Sequence, residues 1–227
     1  MEPRFIQYEI RYSPILNFAQ YYKDIVAKYL ALDDATPNIA NFGMFDEHIV
    51  MVFLSSYHID YRLDRLIFRY EGDHKLIYNS SGATKFFFDI LDETRKLKAF
   101  GKVKQTTIQI KAVGLLEHSN KLIVEKFKSK FFQQSTLDSI LTSTDVAITI
   151  DRAEGAKYSN LIFGPFETQD IAKQGISPLK SDFNKDLNGN GLMCSYTVTE
   201  KTDKSSFSFF KDTLVEMISV IQNIKIE

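Results

Sequence analysis

Apolar and polar residues alternate from Phe5 to Tyr12. Ile6, Tyr8, Ile10 and Tyr12 fall on one side and Gln7, Glu9 and Arg11 on the other, which predicts a half-buried strand. Ser13-Pro14 then reads as an N-cap followed by proline at the first helical position. Phe18, Tyr21, Tyr22, Ile25, Val26 and Tyr29 recur at helical spacing, so a helix is predicted from about Pro14 to Leu32, ending before a loop at Asp33 to Pro37. Ile49 to Leu54 is apolar throughout and reads as a central strand. In the next stretch Tyr57, Ile59, Tyr61 and Leu63 alternate with His58, Asp60 and Arg62. A turn at Asp64-Arg65 returns the chain as a strand from Leu66 to Tyr70, and Leu76 to Tyr78 is expected to pair beyond a second turn. A helix from Thr84 to Phe100 closes this half, with Gly101 as its stop.

The second half opens with a strand from Val103 to Val113 and a helix from Leu122 to Phe132. A short helix is expected at Leu137 to Leu141. Strands follow at Asp145 to Arg152, Tyr158 to Phe163 and Leu192 to Glu200, and a closing helix at Ser206 to Asn223. Both halves run strand, helix, several strands, helix. The fold class expected is therefore α+β, antiparallel sheet with helices packed on one face. An internal duplication is one reading, with halves at residues 1–101 and 102–227, and Leu66-Ile67-Phe68 matches Leu161-Ile162-Phe163. A single irregular α+β domain is the other.

Composition narrows the class. The 227 residues are 44% hydrophobic and 25% charged, which excludes a disordered chain. The formal net charge of -1 argues against a general nucleic-acid binder. With 19 Phe and 11 Tyr but no Trp, aromatic rings must fill much of the core, and they also suit interface anchors. Cys194 is the single cysteine, which excludes an internal disulfide and fits a reducing compartment. The N-terminus has no signal-peptide pattern and no apolar run approaches the ~20 residues that span a bilayer. A cytoplasmic location without membrane attachment is expected.

No constellation of catalytic residues stands out. Asp186-Leu187-Asn188-Gly189-Asn190-Gly191 places oxygens at Asp186, Asn188 and Asn190 and a glycine at position 6, as a calcium loop of the EF-hand type requires. Position 12 is Thr197 where that loop needs a bidentate Glu, and a strand follows where it needs a helix. The pattern fits a hairpin turn better. His48, His58, His74 and His118 share no metal-ligand spacing, and surface roles suit them. Cys194 alternates with the apolar positions of its strand and reads as a small core residue. Ser80 to Lys85 precedes a helix but lacks the glycines of a phosphate loop. No cofactor is implied.

Two surface features remain. From Lys85 to Lys130 there are eleven basic against five acidic residues, with Arg95, Lys96, Lys98, Lys102, Lys104 and Lys111 leading, then Lys121, Lys126, Lys128 and Lys130. Such a run is usually a solvated face, and otherwise a basic patch for an acidic partner or nucleic acid. Tyr57, His58, Asp60, Tyr61 and Arg62, or the long polar stretch from Glu167 to Gly191, are candidates to line a small-ligand cleft between the halves.

The element order is similar to that of a sporadically distributed family of uncharacterised prokaryotic proteins. The resemblance rests on the opening strand Phe5 to Arg11, the mid-chain hairpin Tyr61 to Arg69, the strand Val103 to Ile110 and the closing helix. The family's Arg-Tyr-Ile-Asn signature is replaced here by Ile110-Lys111-Ala112-Val113. The resemblance implies no activity and no catalytic residues, only a patchily inherited accessory role of the kind seen for defence or toxin-related genes. The leading expectation is a non-enzymatic interaction protein with a protein partner or a second copy, docked on an aromatic-rich face or a sheet edge. Small-ligand binding comes second, and nucleic-acid binding through residues 85–130 third.

Overall fold

The structure is a computed structural model that describes residues 1–30, 35–40, 48–53, 57–79, 82–133, 146–167, 170 and 187–224. The elements run in the order β1 (Glu2–Tyr12), α1 (Phe18–Leu30), β2 (Ala35–Ala40), β3 (His48–Phe53), β4 (Tyr57–Arg62) and β5 (Arg65–Tyr70). Then come α2 (Ala83–Arg95), β6 (Val103–Leu116), α3 (Asn120–Phe131), β7 (Ile148–Glu154), β8 (Lys157–Glu167), β9 (Asn190–Glu200) and α4 (Phe207–Gln222). The fold is α+β. Nine strands form a single sheet in the order β2-β3-β4-β5-β1-β6-β9-β8-β7, and every neighbouring pair is antiparallel.

The sheet runs unbroken across the join between the halves. β1 pairs with β6 from Glu2↔Val113 to Tyr12↔Val103, so the halves meet at a strand-paired seam. Outward from that seam each half shows the same plan: its first strand, then its last, then the rest in reverse order. Leu66-Ile67-Phe68 and Leu161-Ile162-Phe163 do not occupy equivalent places in that plan. The first lies on β5, beside its seam strand, and the second on β8, one strand further out.

All four described helices pack on the same side. Tyr8 of β1 lies 5.4 Å from Phe87 of α2 and 4.8 Å from Phe210 of α4, ring centre to ring centre. Phe18 of α1 meets Tyr61 of β4 edge-on at 4.8 Å, and Phe127 of α3 meets Phe163 of β8 at 5.8 Å. Tyr8, Phe68 and Ile59 are registered neighbours on β1, β5 and β4, as are Ala112, Cys194 and Phe163 on β6, β9 and β8. The aromatic richness is therefore the core between one sheet face and the helix layer. Tyr8, Tyr12, Tyr22, Tyr61, Phe87 and Phe210 are all buried there, which corrects the expectation of an aromatic docking face.

Several element boundaries depart from the sequence pattern, β8 among them, which runs on from Phe163 to Glu167. Helix α1 starts at Phe18 and not at Pro14, because the Ser13 and Ile15 amides donate to the Lys102 and Leu63 carbonyls and Asn17 is left-handed at φ 64. Helix α2 ends at Arg95. Beyond it the Lys96, Leu97 and Phe100 amides close three-residue turns onto Glu93, Thr94 and Leu97. Leu76 to Tyr78 belongs to a 3-10 turn, His74–Tyr78, in which the Lys75 amide donates to Asp73 at 3.0 Å. Of the loop expected at Asp33 to Pro37, Ala35 to Pro37 belong to β2, an edge strand in which proline is tolerated, and the first two residues lie outside the described residues. Ser119 and Ser206 cap α3 and α4, accepting from the Leu122 and Phe209 amides. The helix expected at Leu137 to Leu141 lies outside the described residues.

Candidate binding face

Successive side chains of a strand point to opposite faces. Every residue that alternates with the buried aromatic set therefore projects from the side opposite the described helices. Across that side, registered pairing aligns His58, Arg69, Gln7, Gln109, Thr197, Asn160 and Asp151 on seven neighbouring strands. At a strand spacing of ~4.8 Å this polar row is about 29 Å long. A second row carries Asp60, Ile67, Glu9, Thr107, Thr199 and Tyr158. On a third, Phe5 is paired with Lys111, Lys111 with Ser195 and Ser195 with Ile162.

The face is knitted by side-chain hydrogen bonds that run across strands. Gln109 Nε2 donates to Ser195 Oγ at 3.3 Å and the Thr107 and Thr199 hydroxyls lie 3.2 Å apart, while along β6 Gln105 Nε2 donates to Thr107 Oγ1 at 3.1 Å. Asn160 Nδ2 donates to Asp151 at 2.8 Å, and the Tyr158 hydroxyl donates to the same carboxylate. Those two donors hold the Asp151 carboxyl below its usual range. Near the β4–β5 turn, charges are matched in pairs. Arg62 lies 2.7 Å from Asp60, Arg65 2.9 Å from Asp64 and Arg11 2.5 Å from Glu9.

The centre is arranged differently. Arg69 Nε donates to Gln7 Oε1 at 2.7 Å, and Arg69 Nη1 lies 3.2 Å from His58 Nε2. Arginine is always a donor, so His58 Nε2 is the acceptor and the ring is neutral. Burial first, and then the Arg69 charge, lower the His58 pKa to about 4, against a smaller opposing pull from Asp60. Lys111 sits 5.4 Å above the centre of the Phe5 ring, and burial together with the Arg69 charge lowers its pKa.

The residues expected to line a ligand cleft divide between the two faces. His58, Asp60 and Arg62 share the open side. Tyr57 and Tyr61 point into the core, where Tyr57 lies 6.0 Å from Phe68 and Thr94 Oγ1 donates to the Tyr61 hydroxyl at 2.8 Å. The five therefore do not converge, because a strand sends consecutive residues to opposite sides. Most of the stretch from Glu167 to Gly191 lies outside the described residues.

The basic residues divide as well. Arg95 lies at the end of α2 against Ser205, Asp92 and Asp203, and Lys96 pairs with Glu93. Lys98, Lys102 and Lys104 are exposed, while Lys111 stands on the open sheet face, on the opposite side from α2. Lys121, Lys126, Lys128 and Lys130 belong to α3, and Lys128 is buried. Residues 85–130 thus present no single basic face.

Of the calcium-loop residues, Asp186 lies outside the described residues. Asn188 is exposed, and Asn190 begins β9 with its side-chain amide donating to the His118 carbonyl at 3.4 Å. Gly189 takes φ 145, and a Cβ on Gly191 would collide with the Gly114 carbonyl oxygen, so both glycines serve the approach of β9 to β6. Among the described residues no three His, Cys, Asp or Glu side chains are grouped to hold a metal. Cys194 is buried and its thiol is pushed up to about 12, which leaves it inert as a nucleophile. No helix among the described residues is long and apolar enough to cross a membrane.

Gln7, Arg69 and Gln109 were not singled out in the sequence. Their signal was the outward half of the alternation, where uncharged amides stand on the two seam strands. No protein-family model matches the chain, and no curated protein matches it.

Proposed function

We propose that the protein is a non-enzymatic binding protein and that the open face of its sheet is the surface on which a protein partner docks. The observation that carries this reading is the placement of the four described helices on one side, which leaves on the other a row of partly exposed amides and hydroxyls with Arg69 within it and Lys111 beside it. Such a face is rich in hydrogen-bonding groups; among its described apolar side chains Leu115, Tyr158 and Ile162 are 41–45% exposed, while Phe5, Ile67, Val113 and Phe166 are buried, the last two packed with Leu187. It suits a polar, separable interface better than a permanent one. The charge at its centre, Arg69 and Lys111, is complementary to an acidic partner surface. An accessory role in a prokaryotic defence or toxin-related system is consistent with a binding protein of this kind. The matched strand orders about the β1–β6 seam support an internal duplication as its origin.

The test is native mass spectrometry of the protein purified gently from its host, beside two variants. Gln109→Arg places a bulky charge in the middle of the open face, and Lys126→Glu alters the exposed surface of α3. Loss of a stoichiometric protein companion from the first variant alone is the expected result. A companion that survives Gln109→Arg, or a bare monomer throughout, overturns the reading.

A further inference from the structure

The chain has seven arginines. Six of them, Arg4, Arg11, Arg62, Arg65, Arg95 and Arg152, have a carboxylate oxygen 2.5–3.3 Å away. Arg69 has none among the described residues. Its two side-chain partners, Gln7 Oε1 and His58 Nε2, are neutral acceptors that fix the guanidinium without cancelling its charge. The contrast is local: Glu9, two residues from Gln7 on the same strand face, supplies the carboxylate that Arg11 uses, and it lies 3.7 Å from Arg65. Across β1, Lys111 adds a second positive charge to the same region of the face.

We infer that Arg69, supported by Lys111, is a receptor for one carboxylate of an acidic side chain on the partner. This rests on the open-face reading above. The guanidinium fork matches a carboxylate bidentately, and its remaining N–H groups are available once Nε and one Nη1 hydrogen are used. Because Gln7 and His58 hold the fork, little side-chain entropy is lost when the anion arrives.

The experiment uses the isolated full chain labelled for NMR, titrated with sodium acetate against sodium chloride at constant ionic strength. The Arg69 Nε–H signal should move saturably while those of Arg62 and Arg65 stay still, and Arg69→Gln should abolish the effect. In the purified complex, Arg69→Gln and Gln7→Glu should each weaken partner binding about tenfold or more, because the first removes the receptor and the second supplies a carboxylate from within. An Arg69 signal that moves no more than its neighbours overturns the inference. So does inorganic phosphate saturating at a tenth of the acetate concentration, which would make the ligand a phosphate group. Either result leaves the open-face reading standing, since that depends on Gln109→Arg. Undiminished partner binding in Gln109→Arg would remove both.

Discussion

On the helix side of β1, Tyr8 and Ile10 are wholly buried, Tyr8 against the rings of Phe87, Phe88 and Phe210. On the other side of the same strand, Gln7 and Arg11 meet Arg69 and Glu9 in partial contact with water. One backbone thus carries two surfaces. The first gains its free energy from apolar area removed from water and from tilted and edge-on ring contacts. The second is held by hydrogen bonds and ion pairs that are individually worth little at a surface. The contrast separates roles: substitutions on the helix side should change stability, and substitutions on the open side should change binding.

The largest expected effect tests the first surface. Phe210→Ala removes a ring that packs on Tyr8, Phe88 and Phe207, and should lower stability by ~3–5 kcal/mol in urea unfolding. A loss under ~1 kcal/mol would mean that the two surfaces are not energetically distinct. Next comes acid. The unfolded chain protonates His58 near its ordinary pKa of 6.5, whereas the folded chain does so only near 4. The unfolded state therefore binds more protons between those values, and stability falls as pH drops through that window, by at most about 2 kcal/mol from pH 7 to pH 5. His58→Gln should flatten that slope; an unchanged slope would remove His58 from the explanation.

Smaller effects sharpen the contrast. Tyr61→Phe should cost about 1 kcal/mol, because its hydroxyl accepts from Thr94 in the core. Tyr8→Phe should cost nothing or stabilise slightly, since the buried Tyr8 hydroxyl has no hydrogen-bond partner among the described residues. Equal losses from the two would show that the hydroxyls are not distinguished by their partners. Least of all, Gln109→Ala should shift the unfolding midpoint by no more than the equivalent of ~0.5 kcal/mol, while the same variant can be scored for partner binding.

The period-two pattern in Phe5 to Tyr12, Tyr57 to Arg62 and Val103 to Val113 exposed both surfaces of the sheet, because alternation is a local property of the strand. The helices read from Phe18 to Tyr29 and from Phe207 to Ile221 were legible for a similar reason, the spacing of their apolar stripe. What depends on other parts of the chain was not legible. The start of α1 is set by amides bonded to Lys102 and Leu63 far along the sequence. The seam between β1 and β6 brings Gln7 beside Gln109, about a hundred residues apart. The meeting of Arg69 with Gln7 and His58 needs strand order as well as alternation, so the sequence drew attention to the dense cluster at Tyr57 to Arg62 and passed over its sparser neighbours.

Covalent labelling of the native complex tests the central claim most directly. Lys111 and Tyr158 report the open face, and Lys126 together with Lys211 reports the helix layer; acylation of the lysines and iodination of the tyrosine are compared with and without the partner. Protection of Lys111 and Tyr158 with unchanged Lys126 and Lys211 is the result expected if the side of the sheet opposite the described helices is the docking surface. Protection confined to the helix-side lysines would contradict it.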